Sequence, residues 1–293
     1  MQTAASNPID LSAVRRPKGR RGARKESASP LFAITAWVVG LIVFFPVFYM
    51  VLTGFKTESG AVALPPKLFF MPTLEQYRVI FRADFRPFFV NSLIASGVST
   101  LLVLLMGVPA AYALALRPIA KTKDVLFFFI STKFLPPAGV IVPLFIIYKD
   151  IGLLSSMRGL IILYTAMNLP IAIWMLRSFF EEIPRDIIDA ARVDGAGLFR
   201  EITQILMPMI GPGLVATAFI SIIFAWNEFF FAISLAAART GTVPIFLVRF
   251  VTSEGLFWAK LSATSTMAVM PIVILGWVAQ RQLVRGLSLG AVK

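Results

Sequence analysis

Six runs of mainly apolar residues, each about 20 residues long or longer, leave this chain few places to fold. They cover 31–53, 89–116, 125–148, 159–177, 209–236 and 262–283. A helix of about 20 apolar residues crosses the ~30 Å hydrocarbon core of a bilayer, where every backbone polar group has to be bonded internally. The runs predict six transmembrane helices and an all-α integral membrane protein. The third run carries Lys133, Pro136, Pro137 and Pro143, and the fourth carries Asn168 and Pro170. Both of those helices are expected to be kinked or locally unwound.

Composition narrows the chemistry. At 58% hydrophobic against 15% charged residues, the chain has more apolar surface than one soluble core can use. It contains no Cys and no His, which excludes disulfides, thiolate nucleophiles, imidazole bases and the usual zinc ligand sets. The net charge of +13 could point to nucleic acid, but basic residues beside membrane spans have a simpler origin in the positive-inside bias. No nucleic-acid partner is expected.

Residues 1–30 form a basic tail rich in Arg, Gly, Ser and Pro, "RRPKGRRGARKESASP", with no apolar periodicity. It reads as disordered. The apolar run after it is too long for the core of a cleaved signal peptide and lacks a small-residue cleavage site. Arg15, Arg16, Lys18, Arg20, Arg21, Arg24 and Lys25 are expected to hold the tail in the cytoplasm. With six spans both termini then face inward. The clusters Arg117, Lys121, Lys123; Arg177, Arg185, Arg192, Arg200; and Arg281, Arg285, Lys293 fall on that same side. Residues 54–88 and 239–261 become external loops.

That orientation leaves a long polar stretch, 178–208, in the cytoplasm. "IPRDIIDAARVD" has Pro184 at a helix start, apolar Ile183, Ile187, Ala190 and Ala191, and charged Arg185, Asp186, Asp189 and Arg192. The pattern predicts a short amphipathic helix. Gly195 is placed to stop it in a positive-φ conformation. A second helical pattern follows at Leu198, Phe199, Ile202, Ile205 and Leu206, ending at Pro208. The result is two short helices at an angle with a small-residue edge, Ala190, Ala191, Gly195, Ala196 and Gly197. By periodicity alone this pair could equally be an interfacial helix on lipid headgroups.

The stretch resembles the EAA loop of membrane subunits of ABC importers. That pattern is Glu-Ala-Ala, three residues, Gly, nine residues, Ile, one residue, Leu-Pro. Here Asp189-Ala190-Ala191 is followed by three residues and Gly195, then nine residues to Ile205, one more, and Met207-Pro208. Asp189 replaces the Glu and Met207 the Leu. "FLPPAGVIVPLFIIYKDIGLL" (134–154), "YTAMNLPIAIWMLRSFF" (164–180), "FAWNEFFFA" (224–232) and "QLVRGLSLGAVK" (282–293) are similar to six-span carbohydrate-uptake permeases, from about residue 31 to the C-terminus. "STKFLPP" and "SEGLFWAKLSA" further resemble permeases assigned to sugar alcohols such as sorbitol and mannitol.

The resemblance implies a type I ABC importer permease fold in a bacterial inner membrane. It divides the chain into the tail 1–30, a permease domain 31–283 containing the coupling loop 178–208, and a C-terminal tail 284–293. It implies a second homologous permease subunit, two ATPase subunits holding ATP and Mg2+, an extracytoplasmic solute-binding protein and a sugar or polyol substrate. The ATPases would dock the loop through Asp189, Arg192 and Asp194 as charged contacts and Ala190 and Ala191 as a close-approach surface, with Gly195 as the bend. The chain itself has no G-x-x-x-x-G-K-[ST] phosphate loop, nor any Gly-Lys dipeptide. No cofactor and no catalytic residue are expected in it.

Polar residues inside the spans are the other candidates. Glu228 lies within the fifth run, where a charge costs about 2.5–3.5 kcal/mol on insertion scales. It reads either as a residue of the translocation path or gate, or as a clamp between helices. Lys133 is its candidate partner across the bundle. Asn227, Asn168, Tyr164 and Trp226 offer the amides and aromatic faces that hold neutral polyhydroxylated molecules, although amides also join helices in lipid, the role favoured for Asn168. Asn91 and Ser92 read as capping groups. An ion-coupled secondary transporter remains a rival class, as does a pure assembly subunit.

Overall fold

The computed structural model describes residues 30–117, 120–236, 240–252 and 255–289. The basic tail and the residues after Leu289 lie outside them. Among the described residues, four helices are long and apolar enough to cross a bilayer unbroken. These are α1 (Pro30–Gly54), α4 (Phe85–Leu116), α7 (Met157–Glu181) and α14 (Trp258–Leu289). Two further candidates are bent pairs, Thr122–Phe134 with Pro137–Asp150 at 94° and Leu198–Met209 with Gly211–Trp226 at 82°; the bend of the second sets Leu198–Met209, which falls largely in the polar stretch 178–208, apart from the apolar helix Gly211–Trp226.

The chain divides into two compact units at Val47. In the first, the described residues are the apolar start of α1, exposed as lipid-facing surface would be. The second is built on α4 and α7. Ala95, Ser96, Ser99, Thr100, Val103, Gly107 and Ala111 make a buried stripe of mostly small residues on α4. Small side chains let two backbones approach closely in lipid, where packing rather than water exclusion holds helices together. A side chain at Gly107 would press on Leu176 of α7. Helix α11 (Gly211–Trp226) packs against α4, α7 and α14.

The third run breaks as its prolines direct. After α5 (Thr122–Ser131) and a 3-10 turn (Thr132–Phe134), Leu135 and Pro136 are both extended, and α6 runs Pro137–Asp150. Each of the two precedes a proline, whose ring disfavours helical backbone in the residue before it.

The fourth and fifth runs depart from expectation in opposite ways. Helix α7 passes through Asn168 and Pro170 without a break. The Lys133 ammonium donates to the Met167 carbonyl at 2.9 Å, and Asn168 donates to Tyr164 at 2.9 Å. The Lys133 bond ties a carbonyl of the turn before Pro170, the stretch that a proline disturbs. The fifth run, expected as one span, stops at Trp226 and resumes as α12 (Phe230–Leu235). Glu228 begins α12 by accepting the N–H groups of Phe231 and Ala232, both at 2.9 Å.

The stretches read as external loops are structured. The first holds α2 (Glu58–Ala61) and α3 (Glu75–Arg82). Glu58 accepts the N–H groups of Ala259 and Lys260 at 3.0 Å each, tying α2 to the start of α14. The second holds α13 (Val243–Val248) and a two-residue antiparallel ladder, β1 (Val251–Thr252) with β2 (Gly255–Leu256). Ser92 accepts the Val243 N–H at 2.8 Å and Asn91 donates to the Gly241 carbonyl at 3.0 Å. The capping role read for both serves α13 and its lead-in.

Candidate functional site

The stretch read as the coupling loop is built from α8 (Arg185–Val193), α9 (Leu198–Arg200), a π-helical turn (Glu201–Leu206) and α10 (Met207–Met209). Gly195 ends α8 at φ +77°. Its N–H bonds the Arg192 carbonyl and that of Ala196 bonds the Ala191 carbonyl, both at 3.0 Å. This is a Schellman closure, which glycine adopts without Cβ strain.

The side of α8 that turns inward differs in part from the one the sequence suggests. Ile183 and Ile188 are buried with Tyr112, Leu176, Phe180, Leu206 and Ile210, and Ala191 is buried as well. Ala191, expected on the close-approach surface, is only 7% exposed. Asp189, Ala190, Arg192, Asp194 and Gly195 stay exposed. Since the apolar side of α8 is occupied by the bundle, it is not free to lie in headgroups. Around the bend, Val193 is 87% and Phe199 81% exposed. Phe199, one position of the second helical pattern, thus faces outward.

The inward place goes to Glu201, which the sequence reading passed over. It is 1% exposed. Its Oε1 accepts Tyr112 Oη at 2.7 Å and Arg192 Nη2 at 3.3 Å, and its Oε2 accepts Arg192 Nε at 3.2 Å. Arg117 Nε donates in turn to Tyr112 Oη at 3.2 Å. Burial alone would raise the Glu201 carboxyl, but the Arg192 and Tyr112 hydrogen bonds and the Arg192 and Arg117 charges outweigh it and hold it below its ordinary value of 4.5. A depressed native value adds stability above the unfolded value, and this is lost as pH falls through the native one. Glu201→Gln should therefore lower the thermal midpoint of the detergent-solubilised chain at pH 7, and the gap from wild type should close as pH falls below about 4.5. A gap independent of pH would contradict it.

The intramembrane candidates do not converge on one point. Glu228 and Lys133, expected as candidate partners, form no ion pair; each bonds backbone groups instead. Glu228 caps α12, whereas Lys133 holds Met167 and lies 5.7 Å from the Phe224 ring centroid. The buried Tyr164 hydroxyl lies near the Glu228 carboxyl and Thr242. Asn168 is buried on α7 with its Oδ1 unpartnered. Trp226 Nε1 donates to Ala268 of α14 at 3.1 Å. Trp226 and Asn227 line a cavity of about 230 Å³ with Val243, Pro244, Leu247 and Ser265.

Comparison with known proteins fits this architecture. Residues 104–288 match the family model described as binding-protein-dependent transport system inner membrane component. The chain is 32% identical to the sulfoquinovosyl glycerol transport system permease protein SmoH of Agrobacterium fabrum, over 91% of this chain and 95% of that protein. It is 30% identical to the trehalose/maltose transport system permease protein MalG of Thermococcus litoralis, over 90% and 96%. A bacterial ABC transporter involved in import of the acidic polysaccharide alginate has a chain of the same fold, with TM-score 0.70, 22% identity, and 86% of this chain and 95% of that one covered. Fold and sequence together identify a multi-pass inner-membrane protein, and the chain belongs to the family of binding-protein-dependent transport system inner membrane components, the permease subunits of ABC transporters.

Proposed function

We propose that this chain lines part of the path for a neutral sugar or sugar alcohol and receives its driving force through the α8–α9 loop. The observation that carries this reading is the loop's two-sidedness. One face is bonded into the bundle through Ile183, Ile188 and Glu201. The other presents Asp189, Ala190, Val193, Asp194 and Phe199 outward around a glycine bend. An exposed apolar and acidic edge of this kind suits a groove on a soluble ATPase subunit, which would hold ATP and Mg2+. Displacement of such a partner would enter the membrane through α8 without unfolding it.

The remaining partners in this reading are a second, homologous permease subunit, two ATPases and an extracytoplasmic solute-binding protein meeting residues 54–88 and 239–261. Both termini lie in the cytoplasm. The two carbohydrate-transport relatives support a sugar-like substrate, and the cavity at Trp226 and Asn227 supplies an indole face and an amide with no fixed charge. Tyr164, Asn168, Lys133 and Glu228 support the path walls.

Crosslinking tests the loop directly. Ala190→Cys introduces the sole thiol of the chain. In assembled importer it should capture the ATPase subunit, with a yield that changes between nucleotide-free and Mg-ATP states. Labelling by lipid-phase reagents alone would overturn the reading. Binding of sorbitol, mannitol, maltose and trehalose to the cognate solute-binding protein tests the substrate class, and disaccharide-only binding would remove the sugar alcohols.

A further inference from the structure

The geometry points to Glu201 as the positioning residue of this loop: its carboxylate locks the roll of α8 relative to α4, so that α8 and the bundle move as one body. The inference rests on the coupling role proposed above and adds the part that makes the coupling stiff.

A glutamate at 1% exposure needs an explanation, because carboxylates are rarely buried unless paired. Glu201 is paired from two elements at once. The guanidinium of Arg192 on α8 grips both of its oxygens, and Tyr112 on α4 donates to one of them. Arg117, capping the inner end of α4, then secures Tyr112. Apolar residues of similar volume commonly stabilise a site as well as or better than a buried ion pair. What the pair adds is direction. Ile183 and Ile188 hold α8 by contacts that tolerate sliding and rotation, whereas a two-point guanidinium–carboxylate bond fixes orientation.

The backbone is arranged around this contact. Glu201 opens the π-helical turn, and the buried residues of the segment are Glu201 and Leu206, five apart. In a regular α-helix a spacing of five would turn one of them away from the other. The wider i→i+5 turn brings both inward. From Tyr112 the connection continues into α4, which is packed closely on α7 along its small-residue stripe.

The test uses the whole importer in liposomes. Nitroxides at Asp186→Cys, exposed on α8, and Leu105→Cys, exposed on α4, report the distance between the two elements. In the otherwise unchanged chain the distance distribution should be narrow and the same with and without Mg-ATP. Glu201→Gln and Tyr112→Phe should each widen it in Mg-ATP, to about twice that width for Glu201→Gln. Tyr112→Phe removes one hydroxyl and carries the test if Glu201→Gln fails to assemble. Distributions that superimpose in assembled complexes, with only the yield of importer reduced, would overturn the inference. Failure of the coupling role itself looks different: the Asp186→Cys nitroxide would gain no immobilisation when the ATPase subunits are added to the unchanged chain.

Discussion

Glu228→Ala is expected to destabilise the protein by about 2–5 kcal/mol, with a matching loss of folded, transport-competent importer, because it leaves two backbone donors orphaned at membrane depth. The Glu228 carboxylate accepts the N–H groups of Phe231 and Ala232, one on each oxygen. Helix α12 has only six residues, too few to be stable without tertiary support. Its buried side, Phe231, Ala232 and Leu235, packs with Tyr148, Leu160, Leu163 and Tyr164, so losing the cap also loosens that cluster. Glu228→Gln keeps one acceptor oxygen and should lose roughly half as much. The measurements are the thermal midpoint in detergent and uptake per assembled complex. A residue serving only to line the path would leave the midpoint at its wild-type value in both variants and alter uptake alone. That pattern would rule out the capping role.

The same glutamate shows where the sequence was legible and where it was not. Hydropathy located the spans because the length of an apolar run is a local property. It missed the break at 227–229, since Asn227 and Glu228 stand between strongly apolar flanks with no proline or glycine between them. A carboxylate three and four residues before bare N–H groups was the available signal. Pro170 misled in the other direction, because nothing near it in the sequence shows that the turn before it is tied at Met167 by Lys133, 34 residues upstream of Met167. Pairing Lys133 with Glu228 by charge failed for a related reason: both side chains bond backbone groups instead.

In the loop around Gly195 the bend was legible, since a helical pattern ending at a glycine leaves few conformations. The phase after it was not. The 3.6-residue period grouped Leu198 and Phe199 with Ile202, Ile205 and Leu206, but across the π-helical turn Glu201, Leu206 and Ile210 face inward and Phe199 outward. Glu201 then looked like a solvated charge because its partners, Arg192 and Tyr112, are 9 and 89 residues away along the chain.

Gly159→Val should be comparably damaging, by about 3–5 kcal/mol, through collision with main chain rather than loss of a bond. Gly159 lies in the first turn of α7, where Ser156 caps its N–H at 3.1 Å and Tyr148 donates to its carbonyl at 3.1 Å. A Cβ there would stand 2.5 Å from the Leu153 carbonyl oxygen, 3.1 Å from the Tyr148 ring and 3.2 Å from the Ser156 hydroxyl. The Leu153 carbonyl cannot easily give way, since it already accepts the Ser156 hydroxyl at 2.7 Å while the Leu153 N–H is bonded to Tyr148. Relief would mean unwinding the link between α6 and α7, and with it the seat of α12. Gly97, inside α4, provides the contrast, because no atom would come within 4 Å of a Cβ there. Gly97→Ala should be neutral or stabilising by about 0.5–1 kcal/mol through helix propensity. Thermal midpoints of the two variants in the isolated chain decide the matter. Equal shifts would mean that the α6–α7 turn relaxes around the added carbons, and that tight main-chain approach does not fix the geometry of this corner.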